Sequence, residues 1–288
     1  MELNRINSIL NNKEKVDIFY GDRPVWIQEI NNTRAKVGFV DNFVLRQHGR
    51  VEYLTTQKYI HELLGDSKKK ILEVGAGTGR YSIALAKEGH EVDALEYTKY
   101  NLEIMNSKIE GIPNIRTHQG TALDLSRFAD ETFDLTMVLG PMYHLYTKED
   151  KQQAMAEAIR VTKKGGHILV AYCMNDQTVF TYVFKMGNLW ECVEKNMLTE
   201  DFLCISEEKD LFELVRLEQI DELNAAFADE LERMKIVATD GATTYMRETI
   251  DAMDEKTFEM WMKYHFTVCE RMDLIGATSH SLDILRKK

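Results

Sequence analysis

The sequence predicts an α/β fold: a doubly wound, mostly parallel sheet of about seven strands with helices on both faces, its last strand antiparallel, and a helical insertion after strand five. Three observations predict it. Short apolar runs alternate with segments of helical periodicity between Lys70 and Met174. The first of those runs opens into a glycine-rich bend, Gly75-Ala76-Gly77-Thr78-Gly79. The alternation stops at Asp176 and resumes near Lys235.

Taken in order, residues 1–66 interleave aromatics (Phe19, Tyr20, Trp26, Phe39, Phe43, Tyr53) with charge and are expected to form a helical, irregular cap. Residues 67–175 form the core. Residues 70–74 are the first strand, and 81–88 are a helix stopped by Gly89. Residues 91–95 are the second strand, and 101–109 a helix ending before Gly111. Residues 114–118 and 133–139 are strands three and four. The helix 149–162 follows, with Thr147 as its N-cap, Asp150 three residues on, and Gly165-Gly166 after its end. Residues 167–174 make strand five. Strands separated by helices in this way specify right-handed crossovers and hence a parallel sheet.

From 176 to 234 two mainly helical stretches, 178–196 and 217–233, flank an apolar run at 211–215. This insertion is a candidate lid or dimer contact, carrying Phe180, Tyr182, Phe184, Met186, Leu189 and Trp190, although helices routinely bury such faces. Residues 235–288 return to the core through a strand at 235–238, a long helix at 255–272 and a closing strand at 281–286.

Composition narrows the class. A chain of 288 residues with 44% hydrophobic and 29% charged content can bury a sizeable core. Its longest uncharged stretches fall short of the ~20 residues that span a bilayer, and the first twelve residues have no signal-like apolar stretch. Cys173, Cys192, Cys204 and Cys269 are widely spaced, as expected of reduced thiols in a cytoplasmic protein. Nearly all of the net charge of −11 lies between Glu200 and Glu232, where twelve acidic residues face only Lys209 and Arg216. A broad basic surface for nucleic acid is therefore not expected.

The chemistry concentrates in four segments at the ends of strands. Glu73-Val74-Gly75-Ala76-Gly77-Thr78-Gly79-Arg80 leaves strand one and opens a helix; its glycines permit a sharp bend and close approach of a ligand. The spacing is GxGxG, and Arg80 stands where a dinucleotide fingerprint places its third glycine, which counts against NAD. Glu96 ends strand two about 20 residues on, where this architecture puts a ribose-binding acid. Gly120-Thr121-Ala122-Leu123 follows strand three with small residues suited to an adenine. Strand four ends in Leu139-Gly140-Pro141-Met142-Tyr143-His144-Leu145, at the carboxyl edge where open parallel sheets bind ligands.

On these segments the chain resembles the class I S-adenosylmethionine-dependent methyltransferases. The likeness is strong over residues 70–174 and looser over the final strand pair. Residues 73–79 are similar to the family's first motif, Glu96 to its ribose acid, 120–123 to its adenine-side motif and 133–139 to its strand-four motif. The resemblance implies that Glu73 and the turn Gly75, Ala76, Gly77 and Gly79 approach the methionine part of S-adenosylmethionine. It further implies that Glu96 holds the ribose, that Tyr97, Thr121 and Ala122 flank adenine, and that Leu139 is among the cofactor-binding residues. Thr121 departs from the acid common there. The wording Leu139–Leu145 resembles a bacterial subgroup of uncharacterised or small-molecule enzymes, and no NPPY-type sequence of DNA-amino methylation stands there.

The implied reaction is in-line methyl transfer to a small-molecule acceptor, leaving S-adenosylhomocysteine, in a monomer or homodimer with no nucleic-acid or membrane partner. Tyr143 and His144 are the expected acceptor-site residues, with His144 as a candidate base. The competing readings are an RNA or protein methyltransferase using the same cofactor, a non-catalytic cofactor-binding regulator, and an NAD-dependent oxidoreductase. His265 and Cys269 share a helix face, which is better read as packing than as a zinc site. His280, before the last strand, is a possible lining residue with no physical argument behind it.

Overall fold

The computed structural model describes residues 46–208 and 210–288 in full, together with the backbone of three strand segments nearer the start. Those segments correct the first expectation. Phe19–Tyr20 (β1), Arg23–Asn31 (β2) and Arg34–Phe39 (β3) pair antiparallel in the order β1-β2-β3, where the sequence reading expected a helical cap. Val25, Trp26, Ile27 and Ile30 favour extended backbone, and the two-residue gap between Asn31 and Arg34 suits a hairpin. Phe43 lies outside the described residues. The first helix among the described residues is Gln47–Leu64 (α1).

The main sheet follows the predicted rhythm. Its elements are β4 (Lys70–Val74), α2 (Arg80–Lys87), β5 (Glu91–Glu96), α3 (Lys99–Lys108), β6 (Ile115–Gln119), β7 (Phe133–Val138), α4 (Lys148–Val161) and β8 (Thr162–Met174). Thr147 caps α4 as expected, accepting a hydrogen bond from Asp150 N–H at 3.1 Å. After β8 come α5 (Asn175–Thr178), a wide helical turn over Val179–Lys185, and α6 (Leu189–Glu194). Then follow β9 (Leu214–Val215), α7 (Leu217–Ala225), β10 (Leu231–Ala238), α8 (Arg247–Asp251), α9 (Glu255–Val268), α10 (Met272–Ile275) and β11 (His280–Lys287). The helix expected over 217–233 therefore ends early. Residues from Leu231 are strand, because they pair with β11 along its whole length.

The strand order β10-β11-β8-β7-β4-β5-β6 has β11 antiparallel to both neighbours. A short eighth strand, β9, was not expected; it pairs with Cys173 and Met174 of β8. The β7–β8 ladder stops at Val138↔Val170, so β9 takes up the edge that β7 leaves open.

Alternate strand residues face opposite layers. Leu72, Ile168, Val170 and Leu285 pack under α4 and α7, whereas Ile71, Leu135, Leu169 and Leu282 meet Tyr59 and Ile60 of α1, Leu85 of α2 and Met105 of α3. The N-terminal end of α1 is fastened to the C-terminal part of the chain. His48 N–H donates to Asp251 Oδ1 at 3.1 Å, the His48 ring lies 2.8 Å from the same carboxylate, and Val51 packs with Ile250, Phe258 and Met262. This clamp brings residue 52 to the carboxyl edge of the sheet. No helix among the described residues is long and apolar enough to cross a membrane.

Candidate functional site

The glycine bend after β4 is built by its backbone. Gly75, Gly77 and Gly79 all have positive φ (76°, 54° and 85°), which L-residues with side chains rarely adopt. Gly75 N–H and Ala76 N–H both donate to Leu95 carbonyl, at 2.8 and 3.0 Å, tying the bend to the end of β5. A Cβ on Gly77 would meet nothing within 4 Å, so the bend presents bare backbone to an open cradle. Gly79 is the N-cap of α2 and supplies no side chain, leaving that helix start without a side-chain cap.

Two carboxylates face this bend. Glu96, buried at the end of β5, accepts from Gly77 N–H at 2.8 Å, Thr98 N–H at 2.9 Å and Asn101 Nδ2 at 3.2 Å. A carboxylate has about four acceptor directions, so the same group can also receive a ribose hydroxyl. Glu73, fully buried, accepts from Ser82 N–H at 2.9 Å and from the Ser82 hydroxyl. Burial pushes its carboxyl up to about 7; the Ser82 hydrogen bonds oppose the rise and the charge of Glu96 adds to it.

On the β6 side, Tyr97 is 71% exposed beside Glu96, an unsupported aromatic face available for stacking. Gly120 N–H donates to Glu96 carbonyl at 3.1 Å, and Leu123 N–H donates to Thr121 Oγ1 at 3.3 Å. Ala122 is buried in the core beneath. Leu139 packs against the opposite core layer. A glycine bend open at Gly77, a carboxylate with acceptor capacity left and an exposed aromatic fit an adenosine-bearing cofactor with a charged amino-acid end.

The loop after β7 flanks the bend. Tyr143 OH donates to Leu139 carbonyl at 3.0 Å, and burial raises its phenol pKa well above the ordinary value. Its carbonyl accepts from Glu213 N–H at 2.8 Å, which docks the insertion here. His144 is exposed; its ring lies 4.9 Å from Tyr143 and 5.5 Å from Phe212.

The carboxyl edge also gathers Glu52, Cys173, Asp240 and His280, of which the sequence suggested only His280. Asp240, just past β10, accepts at Oδ1 from Ser279 N–H (2.9 Å), His280 N–H (3.2 Å) and the Thr278 hydroxyl. Its Oδ2 lies 3.1 Å from His280 Nδ1. Glu52 of α1 approaches the same nitrogen at 4.0 Å. Cys173, buried on β8, is the register partner of His280. The carboxylates of Glu52 and Asp240 and the Cys173 thiol together hold the imidazole well above its ordinary 6.5 against the opposing effect of burial. The sequence held one usable signal. The first residue of an antiparallel closing strand starts at the edge where its parallel neighbours end, which puts His280 among the ligand-binding loops.

His265 and Cys269 do not form a site. His265 is buried against Thr55 Oγ1 (3.0 Å) with its pKa lowered to about 4 by burial, and Cys269 Sγ lies 3.3 Å from Tyr59 OH. Among the described residues, no group of three or more His, Cys, Asp or Glu side chains is arranged to hold a metal.

Residues 71–166 match the family described as a methyltransferase domain, and residues 1–55 match the small acid-soluble spore protein H family, which nothing in the sequence reading anticipated. The uncharacterised methyltransferase YcgJ of Bacillus subtilis (strain 168) is 28% identical over 127 residues, covering 43% of this chain and 49% of that protein. This match thus spans about half of that relative's length. The glycine/sarcosine N-methyltransferase of Aphanothece halophytica is 25% identical over 197 residues, 65% of this chain and 72% of that protein. Among solved structures, a SAM-dependent methyltransferase of Methanosarcina mazei aligns with a TM-score of 0.53 at 16% identity, over 80% of this chain and 96% of that one, a likeness of fold.

Proposed function

We propose that this chain, whose residues 71–166 match the methyltransferase-domain family, is a class I S-adenosylmethionine-dependent methyltransferase that transfers the sulfonium methyl to a small-molecule acceptor by in-line displacement. The observation that carries the reading is the contact of Glu96 Oε2 with Gly77 N–H at 2.8 Å. It puts a ribose-accepting carboxylate directly against a bend that bears no side chains. A relative named for methylating glycine and sarcosine supports the small-molecule class.

S-adenosylmethionine supplies, when bound, a methyl group on a positively charged sulfur that needs no covalent activation. The chain's own residues bind, orient and exclude water. The bend Gly75, Ala76, Gly77 and Gly79, with Glu73 behind it, receives the methionine end. Glu96 receives the ribose, and Tyr97, Thr121 and Ala122 border the adenine. Leu139 and Tyr143 separate this half of the site from the acceptor half, with His144 at its rim. The insertion from 176 to 234 covers the acceptor half; its exposed Phe180, Met186 and Trp190 support that role. Four free thiols support a reducing, cytoplasmic setting.

Calorimetric titration with S-adenosylhomocysteine, S-adenosylmethionine and NAD tests the reading. Heat is expected for the first two and none for NAD. Absence of binding by either sulfur compound to folded protein overturns it.

A further inference from the structure

Along the carboxyl edge, strand order lays out two groups of side chains. The ends of β6, β5, β4 and β7 and the turns after them hold the residues assigned to the cofactor, whereas β8, β11 and the segment just past β10 hold Cys173, His280 and Asp240, with Glu52 delivered from α1. The second group is used by nothing in the fold's hydrophobic layers. Asp240 is fastened by Thr278, Ser279 and His280 itself, so its position is set before any ligand arrives. With Nδ1–H given to Asp240, a neutral His280 keeps its lone pair on Nε2.

Glu52 is different. Its side chain is 32% exposed, it approaches His280 only at 4.0 Å, and no described residue donates a hydrogen bond to it. The Arg80 guanidinium stacks 3.9 Å over the Tyr53 ring, and no ion pair joins it to Glu52 among the described residues. Two carboxylates therefore stand against one imidazole at the acceptor end, with Cys173, Tyr81 and Tyr143 as the other titratable groups around them. Such a group has negative charge in excess and an acid with unused acceptor capacity.

Resting on the methyltransferase reading, we propose that the acceptor is a small primary or secondary amine, its ammonium received by Glu52 and its proton taken by His280 held by Asp240. This puts the proton acceptor at His280 rather than His144. The balance is simple. His280, held protonated at rest, releases that proton to solvent as the ammonium neutralises Glu52, and its Nε2 then takes one proton from the ammonium, so the ring ends as it began. The freed nitrogen lone pair forms the N–C bond to the methyl as the C–S bond breaks, its electron pair staying on sulfur. One cationic N-methyl product, one neutral thioether and one proton result. Arrival of the ammonium neutralises Glu52, which removes one of the charges holding the His280 proton and helps its release.

The test uses the full chain with methyl-labelled S-adenosylmethionine in three arms: small alkylamines and amino acids, phenols, and thiols. Label is expected in the amine arm at tenfold or more above the others. Glu52→Gln, a half-exposed and isosteric change that spares the fold, is expected to raise the amine KM at least tenfold with the S-adenosylhomocysteine Kd unchanged. Asp240→Asn is expected to shift the pH profile of kcat/KM toward lower pH, and His280→Gln to flatten its basic-going rise. No label in the amine arm, or an amine KM within twofold in Glu52→Gln, overturns the proposal. If S-adenosylhomocysteine does bind, that failure leaves the methyltransferase reading standing; if it does not, both fall.

Discussion

A Cβ built on Gly75 would fall 2.6 Å from Cδ of Pro141, closer than such atoms approach. The glycine bend after β4 and the loop after β7 are therefore one packed unit. Gly75→Ala meets both this clash and a positive φ, and should destabilise the fold by about 3 kcal/mol or more while abolishing cofactor binding. Gly77→Ala meets no atom, so its cost to folding should be only about 1–2 kcal/mol. Because its methyl enters the open cradle, it should still weaken S-adenosylhomocysteine binding at least tenfold. Thermal melts and calorimetry on both variants separate these outcomes, and unchanged affinity in Gly77→Ala would move the cofactor elsewhere.

Glu73 gives a pH signature. Its carboxyl titrates near 7 in the fold against an ordinary 4.5, so the folded chain keeps a proton that the unfolded chain has lost. Stability should accordingly fall as pH rises from about 4.5 to 7 and level off above, by roughly 3 kcal/mol from this group. Glu73→Gln has no such slope. Urea unfolding at pH 5 and pH 8 should show the gap between wild type and variant closing or reversing at the higher pH; parallel behaviour would deny the buried proton.

Asn175 fastens the insertion to the end of β8. It is fully buried, its Nδ2 donates to Phe202 carbonyl at 3.0 Å, and its Oδ1 accepts from Cys204 N–H at 2.8 Å. Asn175→Ala leaves Cys204 N–H without its acceptor and Phe202 carbonyl with only the long 3.5 Å contact from Arg216, and should cost about 2–3 kcal/mol locally. Hydrogen exchange should quicken across 178–205, and cofactor with acceptor should slow it in the wild type. Exchange indifferent to saturating ligands would remove the lid role.

His144 and His280 can be told apart by kinetics. His144 is exposed against Phe212, so His144→Ala should raise the acceptor KM a few-fold and leave the pH dependence of kcat/KM in place. His280→Gln should do the reverse, flattening the pH dependence. A profile flattened by His144→Ala instead would return the base to the β7 loop.

Much of this site was legible before any coordinates. The alternation from Lys70 to Met174, the bend at Gly75–Gly79 and the placing of Glu96 rest on local periodicity and short spacings, which backbone geometry translates directly into strand, turn and helix. Thr147 as the cap of α4 is of the same kind. Residues 23–31 and 34–39 were harder, because short aromatic runs mixed with charge fit helix and strand periods alike, and the pairing of β2 with β3 is what decides between them.

By itself, then, the sequence determined the parallel sheet, the glycine bend with Glu96 beside it at the carboxyl edge, and the absence of a dinucleotide glycine pattern. Only the tertiary structure brings a second group of polar side chains to that edge. Glu52, Cys173, Asp240 and His280 come from four elements scattered along the chain. They meet because β11 runs back between β10 and β8, and because the His48–Asp251 contact clamps α1 to the C-terminal helices. Strand direction and a long-range clamp have no local signature; they are settled by which apolar faces find each other when the core closes.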